Sequence, residues 1–142
     1  MSMQNPVVFP FLNEDDEDFA IDTAGSQIGN AVTDLQGIEA LAIFGHLSAA
    51  AAASGSDVTV FIQTSFASGA WYDVACIVFG SATIARAANV SSAGAAPATL
   101  TDQAMADNTV LNGPIGDRLR AVVVVEGDFD SPSILALRGH AR

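Results

Sequence analysis

Lysine is absent from this sequence, and its five arginines stand against sixteen carboxylates, for a net charge of −11. Binding to a phosphate backbone or an anionic bilayer needs clustered cations, so neither nucleic acid nor membrane is an expected partner. A single cysteine, Cys76, excludes an internal disulfide framework and a multi-cysteine metal site. No base flanks Cys76 to lower its pKa, and it reads as a small buried hydrophobe in a strand. Aromatics make up only 7% of the chain, with one tryptophan and one tyrosine. The core must then be built from small and β-branched side chains, backed by eight phenylalanines. Long apolar runs are also missing. The uncharged stretch Leu41 to Ser56 contains Gly45, His46, three serines and five consecutive alanines, which is too short and too polar for a membrane span. Met1 to Leu12 lacks the charged and apolar regions of a secretory signal.

Catalytic groups are equally sparse. His46 and His140 each fall near the end of an expected strand, and no Gly-x-Ser-x-Gly elbow accompanies them. A small hydrolase would need one of them beside a serine and a carboxylate, so enzyme is the weaker reading. No H-x-H, H-E-x-x-H or Cys/His cluster is present, and neither Glu14–Asp18 nor Asp128-Phe129-Asp130 has the register of a calcium loop. No metal and no cofactor is expected.

The length of 142 residues fits one domain, but the charge is uneven along it. Up to Glu39 there are eight acids and no base; beyond it, eight acids face all five arginines. Val7, Val8, Phe9, Phe11 and Leu12 form an apolar tip interrupted by prolines, followed by the acidic block Glu14–Asp18 and a Gly/Ser/Thr/Asn-rich stretch. Residues 1–33 therefore read as an extended arm, either a segment that orders against another surface or a frayed terminus, and residues 34–142 as the folded domain.

Beyond Asp34 the pattern becomes short strands. Ile38–Leu47 is apolar on both faces, Asp57–Phe66 alternates cleanly, and Trp71–Phe79 returns from a Gly-containing turn. Ile84–Val90, Asp117–Glu126 and Ser133–Ala141 are further strands. Thr101–Asn112 has the capping and helix-forming residues for a helical turn. Short strands divided by Gly/Ser/Asn turns predict an all-β fold, an antiparallel β-sandwich or jelly roll with an extended N-terminal arm.

Two surface features point to interaction. Arg118 and Arg120 alternate on one strand and so share a face, where they either pair with nearby carboxylates or dock an acidic arm or a neighbouring subunit. Trp71 and Tyr72 are strand neighbours and point to opposite faces, Trp71 by default into the core and the exposed partner available as an interface anchor or sugar platform.

The block Gln63-Thr64-Ser65, a turn, Trp71 and Asp73-Val74-Ala75 resembles a hairpin that recurs in structural proteins of tailed bacteriophages. The run Ala106-Asp107-Asn108-Thr109, then Gly116-Asp117-Arg118-Leu119-Arg120 leading into a valine strand, is similar to the same group. These blocks span about Asp57 to Val125, although the turn Phe66–Ala70 lacks the group's usual acidic Asp-Gly-Gly type sequence. The resemblance implies a non-enzymatic virion component: a capsid decoration or cement protein on the head surface, made in the bacterial host cytoplasm. Its implied partners are the major capsid protein and further copies of itself, as a homo-oligomer with a trimer favoured. The alternative it implies is a head-fibre or tail-associated module binding host-surface glycans through Trp71 or Tyr72.

Overall fold

The computed structural model describes residues 7–10, 19–21, 24–29, 31–33, 35, 37–49, 56–66, 69–93, 97–129 and 133–142, with the backbone alone for 7–10, 19 and 20. Among the described residues there is no helix. Ten strands are present: β1 (Val7–Pro10), β2 (Phe19–Ile21), β3 (Gly25–Ile28), β4 (Ala40–Ser48), β5 (Asp57–Ser65), β6 (Tyr72–Val78), β7 (Ile84–Ser91), β8 (Thr109–Val110), β9 (Arg118–Glu126) and β10 (Ser133–Ala141). They form two antiparallel sheets. One runs β1-β10-β4-β7, with β2 also on β10; the other runs β3-β9-β5-β6-β8. The sheets face each other as a β-sandwich.

Alternating apolar residues of both sheets supply the core. Leu41, Ile43 and Leu47 of β4 and Leu135 and Leu137 of β10 pack with Val58, Val60 and Ile62 of β5 and Leu119, Val123 and Val125 of β9. All are buried, as the period-two pattern requires. Gly45 interrupts the row on β4 because the ring of Phe79 fills that place; a Cβ there would overlap Phe79 and press on Leu137.

The stretch read as an arm is part of the sheets wherever it is described. β4 covers Ile134–Ala141 on one side of β10, so β1 and β2 lie end to end along its other side. β3 pairs with Val122–Val125 of β9, Val32 bridges Leu119, and Ile21, only 1% exposed, belongs to the core. Strand pairing at an edge draws on backbone groups and tolerates polar, glycine-containing sequence, which composition reads as an arm.

The expected helical turn at Thr101–Asn112 is replaced by an irregular segment leading into β8. Its N–H groups do not bond along the chain. Those of Gln103, Ala104 and Met105 donate instead to the carboxylate of Asp73. Gln103 and Asn108 take left-handed backbone conformations (φ 56° and 54°), which breaks the helical path. The segment lays Met105 over Phe61, Cys76 and Val122, making a small second apolar layer on the outer face of the β9-β5-β6 sheet.

Candidate functional site

A one-residue irregularity in β6 decides which side chains meet on that outer face. Ile62 of β5 pairs with Ala75, but the next residue, Gln63, pairs with Asp73, so Val74 is extra. Val74 and Ala75 both join the core. From Val74 back toward the turn every side chain is therefore switched to the opposite face. Asp73 comes to lie beside Gln63, and Trp71 goes to the outer surface instead of the core. Strict alternation places Trp71 inside; the bulge reverses it.

Asp73 is the hub of the resulting network. Its Oδ1 accepts from Gln63 Nε2 (2.9 Å) and Gln103 N (2.9 Å). Its Oδ2 accepts from Thr101 Oγ1 (2.9 Å), Ala104 N (3.0 Å) and Met105 N (3.2 Å). The residue is 1% exposed. Five donors around one carboxylate replace the water it gives up on burial. Gln63 extends the network by donating also to Asp102 Oδ1 (2.6 Å) and accepting from Arg120 Nε (2.9 Å) on Oε1.

Arg118 and Arg120 share the face their alternation predicts, and both guanidiniums lie over the Trp71 ring, 5.2 and 4.4 Å from its centroid. Arg118 Nη2 donates to Ser65 Oγ (2.7 Å), while its Nε is buried without a hydrogen bond, 3.9 Å from Asp117 Oδ1. Burial lowers the Arg120 pKa from its ordinary value, partly offset by the nearby Asp102 carboxylate. Stacking on the indole replaces part of the hydration that the two guanidiniums give up.

The remaining motif residues maintain the local fold. Thr64 Oγ1 donates to Arg118 O (3.0 Å) and accepts from Gly116 N (2.8 Å). Gly116 lies so close to Ser65 that a Cβ would overlap the Ser65 carbonyl oxygen. Asn108 Oδ1 accepts from Val78 N (2.9 Å), tying the irregular segment to β6. The two sequence blocks thus meet through β5, β6 and β9. Gln63, Asp73 and Asp102 were missed as members of the cluster, although a carboxylate inside the apolar run Trp71–Phe79 was a visible signal for Asp73.

The other candidates lie elsewhere. Tyr72 lines an apolar cleft of about 240 Å³ with Phe66, Leu100, Leu111 and Pro114, away from Trp71's face. In β1, Val7, Val8 and Phe9 pair with Ala141, His140 and Gly139, and Phe11 and Leu12 lie outside the described residues. His46 is exposed and its Nδ1 is 3.2 Å from Ser48 Oγ. His46 and His140 sit opposite Ala136 and Ala42 on the outer face of the β10-β4-β7 sheet. Among the described residues no three His, Cys, Asp or Glu side chains cluster as metal ligands. Asp128 accepts a backbone N–H from Ala24 (3.2 Å), while the acidic block Glu14–Asp18 and Asp130 lie outside the described residues. Cys76 is buried in β6; desolvation raises its thiol pKa, a hydrogen bond from the Asn108 backbone opposes this, and Asp107 and Asp73 add to the rise.

That outer face is itself notable. Ala85 and Ala87 of β7 and Phe44 of β4 are exposed, Phe44 at 53%, and Ala42 and Ala136 are half-buried beside them. Ile134 adds an exposed side chain at 45%. β4, β7 and β10 contain no carboxylate, and their charged residues are Arg86 and Arg138.

No family model and no curated protein matches the chain. Among solved structures, it is similar to part of dimeric latent PorU from Porphyromonas gingivalis, at 10% identity and a TM-score of 0.46. The alignment covers 96% of this chain and 12% of that one. A likeness this slight carries neither a fold assignment nor a function.

Proposed function

We propose that this protein is a non-enzymatic structural component of a tailed-phage particle, a decoration or cement protein that seats on the major capsid protein. The phage setting comes from the sequence resemblance. The observation that supports a seating role is the outer face of the β10-β4-β7 sheet: alanine-rich, bearing exposed Phe44 and Ile134, and free of carboxylates in a chain of net charge −11. Small side chains on a sheet let another backbone approach closely, and the missing acids remove the repulsion that the rest of this chain would exert on an acidic partner.

Magnitude favours an oligomer. Three strands about 4.8 Å apart and about 27 Å long offer roughly 400 Å² of face. A stable pairwise interface buries about 800 Å² per partner. One copy then binds weakly, and several linked copies bind together through avidity, which suits a symmetric position on a shell.

The test mixes the full chain with undecorated capsids of the phage that encodes it, beside Phe44→Asp and Ala87→Asp variants. Co-sedimentation of the parent chain and its loss in both variants, at unchanged melting temperature, is the expected result. No binding by the parent chain overturns the decoration reading. Equal binding by all three overturns the role of this face. The glycan-binding alternative now rests on Tyr72 and its cleft, because the Trp71 ring is engaged by two guanidiniums.

A further inference from the structure

We infer that the outer face of the β10-β4-β7 sheet takes an acidic protein surface, and that its histidines tighten the contact as pH falls. The inference rests on the reading of that face as the contact surface and adds the chemistry of the partner and its regulation.

Strand alternation gathers the bases. Arg138 and His140 of β10 stand opposite Phe44 and Ala42, and His46 of β4 stands opposite Ala136. Arg142 follows on the same face, since it exchanges backbone hydrogen bonds with Ala40 in both directions (2.9 and 3.0 Å) and so lies opposite it. Four of the chain's seven basic side chains, five arginines and two histidines in all, are thus on one face. Successive ones on β10 are about 6.7 Å apart, near enough for like charges to repel. No carboxylate on β4, β7 or β10 offsets them. The one charged residue of β7 is Arg86, opposite Gly45, and β1 lies along Arg138 and His140 with Pro10 and Val8. Glu39, one residue before β4, is exposed, and the Arg142 carbonyl accepts from the N–H groups of Glu39 (2.8 Å) and Ala40 (2.9 Å).

The same face has a place for an apolar side chain. A shallow depression of about 420 Å³ lies between Phe44, His46, Ala85, Ala87, Ala136 and Arg138. The alanines and the Phe44 ring make it apolar, while Arg138 and His46 put a guanidinium and an imidazole beside it. The matching surface carries an apolar side chain flanked by carboxylates. A phosphate backbone would meet the cations but leave the alanines and Phe44 without a counterpart, so an acidic protein surface is the better match. The rest of this −11 chain repels such a partner, which turns this face toward it on approach. Histidine is the side chain that ordinarily changes charge between pH 5 and 8. Both histidines of the chain are on this face, so acidification raises its positive charge while the carboxylates of a partner stay ionised.

The experiment measures retention of the full chain on an immobilised copolymer of glutamate and tyrosine, at about pH 5.8 and about pH 7.8 and fixed ionic strength. Binding roughly fivefold tighter at the lower pH, and weakened by added salt, is expected. The double variant His46→Gln, His140→Gln should lose the pH response, and Phe44→Asp should lose binding at both pH values, each at the parent's melting temperature. No retention of the parent chain, a pH response that persists in the double variant, or undiminished binding by Phe44→Asp overturns the inference. Tighter retention on immobilised polyphosphate than on the copolymer overturns the protein surface as occupant. Undecorated capsids separate this inference from the decoration reading. A chain that behaves as expected on the copolymer but ignores capsids supports the acidic-partner site and overturns decoration. Capsid binding that is lost in Phe44→Asp but is equal at both pH values overturns the inference and leaves decoration standing.

Discussion

Replacing Asp73 by Asn keeps the size and planarity of the buried side chain and changes only its charge and one acceptor. All five contacts of the native carboxylate are donors pointing inward, from Gln63, Thr101, Gln103, Ala104 and Met105. The amide of Asn must turn its NH₂ toward one set. On the Oδ1 side it loses Gln63 and the Gln103 N–H; on the Oδ2 side it loses Ala104 and Met105, while the Thr101 hydroxyl can turn to accept. Either way two charge-assisted bonds vanish and donor meets donor. At about 1.5–3 kcal/mol for each such bond, less the easier burial of a neutral group, the loss comes to about 3 kcal/mol. A domain of this size has about 5–15 kcal/mol in hand, so the variant still folds. Urea titration checks this: with a slope near 1.5 kcal/mol/M, the midpoint should fall by about 2 M. Hydrogen exchange should quicken at Gln103, Ala104 and Met105 beyond the global change. A loss below about 1 kcal/mol with these amides still protected would refute the account of Asp73 as the anchor of the irregular segment.

Three further outcomes come from the same packing. Cys76, 1% exposed, should resist thiol reagents until the chain unfolds. Because its folded pKa is raised, its contribution is fully present below the unfolded thiol value near 8.5 and is lost as pH rises from there through the folded value, at up to about 1.4 kcal/mol per pH unit. Urea midpoints at pH 7, 9 and 10 should show that decline and Cys76→Ala should lack it. Ile21→Ala should cost about 2–5 kcal/mol in thermal or urea unfolding, since the side chain is a full member of the core. A cost under about 0.5 kcal/mol would refute the place of Ile21 in the core.

The sandwich was legible because its central strands obey period two without interruption. Val58, Val60 and Ile62 against Thr59, Phe61 and Gln63, and the valine run of β9, leave little choice of structure or face. The shared face of Arg118 and Arg120 follows from the same rule. Two things were not legible. Edge strands β1, β2 and β3 are held by backbone pairing to β10 and β9, and backbone pairing leaves little trace in side-chain pattern. The Val74 bulge is set by what the strand must satisfy rather than by any residue that announces it, and it alone moves Trp71 from core to surface.

The bulge also explains how a carboxylate comes to be buried in β6 at all. Without the extra residue, Asp73 would point into an interior of leucine and valine, where no donor could reach it and a burial cost of several kcal/mol would go unanswered. With it, Asp73 turns outward under the 101–105 segment, whose free N–H groups need acceptors as much as the carboxylate needs donors. The same turn exposes Trp71 to the two arginines of β9. Removing the extra residue, as in a deletion of Val74, would therefore disable three features together: the anchor, the Trp71 shelf and the paired arginine forks. Their joint dependence on one register shift is why Gln63, Asp73 and Trp71, far from Arg118 and Arg120 in sequence, belong to one site.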